Sequence, residues 1–94
     1  MKKITEQVVG AFLRGENKKV RNTESRDGIL YLFGNEIAQK YSDGLLAIAN
    51  AGWFSNTTKE RLNAIPGVSI LQKKGEWFLN GLPWNGQRIV VNRV

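Results

Sequence analysis

The side chains that most often carry chemistry are missing from this chain. It has no cysteine and no histidine, which excludes disulfides, thiol nucleophiles, thiolate or imidazole metal sites and histidine general bases. Eight carboxylates remain: Glu6, Glu16, Glu24, Asp27, Glu36, Asp43, Glu60 and Glu76. Asp27 and Asp43 each precede a glycine in a turn dipeptide, and Glu60 follows Thr57 by three residues, the spacing of a helix capping box. No pair of carboxylates stands out as a metal site, and there is no glycine-rich phosphate loop with its lysine. The expected activity is binding rather than catalysis, with no cofactor and no metal.

The most distinctive block is Gly52-Trp53-Phe54-Ser55-Asn56-Thr57-Thr58-Lys59-Glu60-Arg61-Leu62-Asn63. It places Thr57, Thr58, Lys59 and Arg61 around a helix N-terminus, where free backbone N–H groups and the helix dipole favour an anion such as a phosphate. A purely structural reading uses the same residues: Thr57 and Glu60 cap the helix, Trp53 and Phe54 plug the core, and Lys59 and Arg61 are solvated.

Fourteen Lys and Arg against eight Asp and Glu leave a net charge of +6, and the pI is near 10.0. A polyanion is the natural partner for such an excess, although many small domains are basic for solubility alone. The cations gather at Lys18, Lys19 and Arg21, at Lys73 and Lys74, at Arg88 and Arg93, and at Lys2 and Lys3. If the C-terminal strands pack beside the first polar segment, these groups merge into one basic face flanked by Tyr31, Tyr41 or Trp84, a combination suited to backbone tracking and base stacking. If not, they are scattered surface lysines, some guarding strand edges. Trp84 lies between two turns, where it serves either as an exposed protein-interface anchor or as a cover over a small core.

The elements that position these groups follow from periodicity and turn signals. Ile4 to Gly15 reads as a helix with Thr5 as N-cap, an Ile4–Val9 staple, and Val8, Val9, Phe12 and Leu13 on one face. Gly10 inside it suggests a close backbone contact. The polar stretch Asn17 to Arg26 reads as an edge strand or loop. Ile29 to Phe33, Glu36 to Tyr41 and Leu45 to Asn50 read as strands separated by turns. A second helix begins at Thr57 and stops at Pro66-Gly67, with Leu62 and Ile65 inward. Val68 to Lys73, Glu76 to Leu79 and Gln87 to Val91, divided by Lys74-Gly75, Asn80-Gly81 and Asn85-Gly86, read as a β-meander. The expected fold is α+β: an antiparallel sheet of about six strands, an N-terminal helix, a central helix and a C-terminal meander.

Ninety-four residues, 41% of them hydrophobic, suffice for one core, so residues 1–94 are expected to form a single domain. Thr5, Glu6 and Gln7 follow Lys2 and Lys3 where a signal peptide would be apolar, and the longest apolar runs are far short of a membrane span. A cytosolic protein without a membrane partner is expected.

Leu30-Tyr31-Leu32-Phe33-Gly34-Asn35-Glu36-Ile37-Ala38, Ala51-Gly52-Trp53 through Asn63, Trp77-Phe78-Leu79-Asn80-Gly81 and Trp84-Asn85-Gly86 together resemble a family of small proteins of unknown function encoded by bacteriophages and related mobile elements. The resemblance spans residues 18 to 91, and the segment from Thr57 to Asn63 is its most specific part. It implies an accessory protein in the cytoplasm of an infected bacterium and carries over no site residue. The leading expectation is a nucleic-acid-binding phage protein. The alternative is an anti-defence inhibitor that occupies a host nucleic-acid-binding protein, such as a CRISPR or other nuclease complex. A structural component would instead self-associate, for example as a homodimer through a sheet edge.

Overall fold

The computed structural model describes residues 3–93; Lys2 and the side chain of Arg93, two of the basic groups above, lie outside the described part. The first helix, α1 (Lys3–Arg14), buries Thr5, Val8, Val9 and Phe12, the i, i+3, i+4, i+7 stripe expected of a helix lying on a core. It begins two residues before the expected cap, so Thr5 faces the interior instead of capping the end. Its C-terminus closes in a Schellman motif: Gly15 at φ 77° donates to the Phe12 carbonyl, and Glu16 N donates to the Ala11 carbonyl. Gly10 has no close backbone neighbour; an added Cβ would meet only the flexible end of Arg14 at 3.2 Å.

Five strands follow by tight reversals: β1 (Lys18–Val20), β2 (Thr23–Arg26), β3 (Ile29–Leu32), β4 (Asn35–Lys40) and β5 (Leu45–Ile48). The polar stretch after α1 is thus a hairpin, β1–β2, with β1 at the sheet edge. Asp27-Gly28 and Phe33-Gly34 have positive φ at both central residues, the geometry whose twist matches paired strands. Between β3 and β4 a bulge inserts Ile37, so Ile37 and Ala38 both turn into the core.

The second helix, α2 (Asn56–Asn63), is followed by β6 (Ile70–Lys73), β7 (Glu76–Leu79), β8 (Leu82–Pro83) and β9 (Ile89–Arg93). Only β6, β7 and β8 form a meander. The last strand leaves it and pairs antiparallel with β5, giving a six-stranded sheet of order β1-β2-β3-β4-β5-β9 beside the three-stranded sheet. Period-two patterning identified β9 as a strand but could not name its partner, because pairing over forty intervening residues has no local signal.

Both helices and the small sheet lie on one face of the large sheet. The core joins Val8, Val9 and Phe12 of α1, Leu30, Leu32, Leu46 and Ile48 of the large sheet, Leu62 of α2, Ile65, and Ile70, Trp77 and Leu79 of the small sheet. The other face stays open, and the register assigns it Lys19, Glu24, Arg26, Tyr31, Glu36, Gln39, Ala47 and Val90. Among the described residues no helix is long and apolar enough to cross a membrane.

Candidate nucleic-acid interface

The start of α2 does not assemble the expected anion site. Ser55, not Thr57, is the N-cap: its side chain accepts from Thr58 N at 3.1 Å and lies 2.9 Å from the Thr58 hydroxyl. The capping frame is therefore two residues earlier than the Thr57–Glu60 spacing suggested. Thr58, Arg61, Leu62 and Ile65 then form the inward stripe, so Thr58 is fully buried and Arg61 is 2% exposed. Thr57 is half-buried at the edge of an apolar hollow of about 390 Å³, alongside Leu32, Phe33, Ile37 and Trp53. Lys59 leans away, donating to Gln72 at 2.6 Å and standing 5.8 Å from the Trp77 ring centre.

Arg61 is a cross-link between elements. Its Nε donates to the Thr23 hydroxyl of β2 at 2.9 Å and its Nη1 to the Thr5 hydroxyl of α1 at 2.6 Å; Nη1 also pairs with Glu60. Thr5 in turn donates to Glu60 at 2.5 Å. A buried guanidinium requires such satisfaction, because desolvating an unpaired charge costs several kcal/mol (about 3–5 when one partner is removed).

Trp84 also turns inward. It is 9% exposed, its indole donates to the Gln87 carbonyl at 2.9 Å, and it packs against Trp77. It covers the core and is not an exposed anchor. The exposed aromatics are Phe33 (66%), Trp53 (55%) and Phe54 (56%), the last two being residues that the structural reading of the block had placed in the core. Asn50 sets the course of that loop: buried, it accepts from Gly52 N and Trp53 N and donates to the Gly86 carbonyl.

The remaining cations divide between the two ends of the large sheet. Lys18 and Lys19 on β1 and Arg21 in the β1–β2 turn are exposed and, among the described residues, pair with no carboxylate. Arg88 precedes β9 at the far edge, five strand spacings away, or roughly 24 Å. Lys73 and Lys74 are exposed at the β6–β7 tip, whose Gly75 and Glu76 share a cleft with Arg88. The merger into one cluster therefore does not occur, because the meander packs at the β9 side and not beside β1.

Between these two basic ends, the open face carries two arginine–tyrosine pairs. Arg26 lies 4.9 Å from the Tyr31 ring centre and 3.9 Å from Glu24. Arg88 lies 5.5 Å from the Tyr41 ring centre, contacts its hydroxyl, and donates to Gln39 at 2.6 Å and Glu36 at 3.1 Å. To reach β4 from beside β9 it must cross β5, which presents the small Ala47 opposite Gln39 on this face. Tyr31 first and Glu24 second raise the Arg26 pKa above its ordinary value; Tyr41 and then Glu36 do the same for Arg88. Both groups therefore stay charged at any pH of interest, and any stability they contribute is lost only as pH rises through their elevated folded-state values. Arg26 belongs to no motif in the sequence; its signal is the alternation Thr23-Glu24-Ser25-Arg26, which puts it on the face opposite buried Thr23 and Ser25.

Residues 1–92 match the family described as Kyanoviridae Gp96 protein, which covers nearly the whole chain. No curated protein and no solved structure matches. The chain belongs to the Kyanoviridae Gp96 protein family, a phage protein family of unknown function.

Proposed function

We propose that this protein is a non-enzymatic phage accessory protein that binds single-stranded nucleic acid along the open face of its six-stranded sheet, in the cytoplasm of the infected cell. The observation that carries the reading is the pair of arginine–tyrosine contacts, Arg26–Tyr31 and Arg88–Tyr41, on the face that runs from the exposed cations of β1 to the β9 edge. Aromatic rings on a sheet face stack unpaired bases, which a duplex hides, while lysine and arginine follow the backbone. A path of roughly 24 Å suits about four nucleotides, at the lower end of single-strand site sizes. Lys19 on the open face, with Lys18 and Arg21 at the same sheet edge, takes the phosphates at one end, and Arg88, with Lys73 and Lys74 on the hairpin beyond the β9 edge, takes those at the other.

Replacing Lys18, Lys19 and Arg21 together with glutamine is expected to weaken oligonucleotide binding at least tenfold at low salt. The slope of log affinity against log salt should fall by about 2, since each single-strand phosphate contact contributes about 0.7. Fluorescence anisotropy across a salt series measures both. An unchanged slope would remove the β1 edge from the interface.

A second reading, an anti-defence inhibitor of a host protein, is favoured by the exposed rings of Phe33 and Trp53 beside the apolar hollow at the start of α2. Under this reading, capture of one dominant host protein after nuclease treatment is expected to drop at least tenfold in Trp53→Ala. Capture insensitive to that substitution would count against it.

A further inference from the structure

We infer that the cleft between the β6–β7 hairpin and the segment leading into β9 is a pocket for a nucleobase bearing N–H donors, placed at the β9 end of the track; the inference rests on the nucleic-acid reading above. The cleft is open on one side and offers about 720 Å³, within the size range of small-molecule sites. The buried rings of Trp77 and Trp84, with centroids 6.2 Å apart, form its floor. Phe54 stands at its rim with its ring edge-on to Trp77, 5.0 Å between centroids, and leaves more than half of its surface open to an incoming ring. Holding an aromatic side chain exposed at the mouth of an aromatic-floored cleft suits a flat ligand, which gains stacking that water cannot supply.

The polar lining sets the ligand's class. Arg88 borders the cleft and at the same time makes its contacts with Glu36, Gln39 and Tyr41, so it links cleft and open face through one side chain. Glu76 is the only carboxylate in the lining and, among the described residues, pairs with no cation. An acidic acceptor in a protein of net charge +6 disfavours a phosphate in the cleft itself and favours a neutral ring that offers N–H groups, as the amino-bearing bases do. The phosphates stay on the sheet face and a base turns inward.

The test compares an oligodeoxyadenylate hexamer with an abasic hexamer of equal charge, using the full chain at low salt. Phe54→Ala is expected to lose about five- to twentyfold on the adenylate and less than twofold on the abasic strand, the range of one lost stacking contact. Glu76→Gln, at an exposed strand end, should lose at least threefold on the adenylate while holding or gaining on the abasic strand. Equal effects on both strands for both variants, or no effect on the adenylate, would overturn the pocket while leaving sheet-face binding intact. If the wild-type protein binds neither hexamer, the nucleic-acid reading falls and the pocket with it.

Discussion

Arg61→Ala is expected to destabilise the protein by about 3–5 kcal/mol, a large part of the total stability of a chain this size. The substitution removes the cation that satisfies the Thr5 and Thr23 hydroxyls and pairs with Glu60. It also opens a void where α1, β2 and α2 meet. Arg61→Met should cost less, because it keeps most of the volume and because Glu60, with 28% of its side chain exposed, can reach water. Urea denaturation measures both: the midpoint should fall in the order wild type, methionine, alanine. A surface arginine that contacted only phosphate would cost under about 0.5 kcal/mol on truncation, so a small effect would contradict the cross-link.

Gly86→Ala is the second large effect, expected at about 3 kcal/mol or more. Gly86 has φ 88°, a left-handed conformation costing about 1–2 kcal/mol for an L residue. An added Cβ would also fall 2.2–2.3 Å from three atoms of the Asn50 side chain. Asn50 cannot yield cheaply, since it is buried, holds Gly52 N, and is tied to the Gly86 carbonyl through its own N–H. Gly52→Ala provides the comparison, having a similar φ of 85° with nothing within 4 Å of the added carbon, so only the conformational cost of about 1–2 kcal/mol applies. Thermal or urea unfolding that ranked the two variants equal would contradict this role for Asn50. Gly86→Ala should also disturb Trp53 and Phe54, because the same asparagine fixes the loop that presents them.

These two sites show where the sequence was and was not legible. The hairpins could be read directly, because Asp27-Gly28, Lys74-Gly75 and Asn80-Gly81 specify a turn through local backbone geometry. The inward faces of α1 and of Leu62 and Ile65 followed from helical spacing alone. Arg61 did not, because a charged residue beside Lys59 and Glu60 is read as solvated by default, and only its partners on α1 and β2, over 35 residues away in sequence, make burial tolerable. The sequence left Trp84 open between an exposed anchor and a core cover, and the structural reading of the block put Trp53 and Phe54 inside; the fold buries Trp84 and exposes the other two. Hydrophobicity alone cannot decide which of several tryptophans a small core will accommodate; here Trp84 packs against Trp77 and ties its indole to the Gln87 carbonyl.

The departure of β9 from the meander shaped the candidate interface. Had β9 stayed with β7 and β8, Arg88 could not have crossed toward Tyr41, and the basic groups would have had no shared surface with the two tyrosines. As it is, the large sheet keeps both helices and the small sheet on one side and leaves the arginine–tyrosine pairs on the other.

Single-strand binding is best measured by titrating the wild-type protein with a fluorescent single-stranded 12-mer, and with a duplex of the same sequence, at 50 and 200 mM salt. Saturable single-strand binding is expected at micromolar protein or below in the lower salt, with weaker duplex binding and a steep loss of affinity in the higher salt. No binding of the single strand at 50 mM salt, or affinity indifferent to salt, would contradict it.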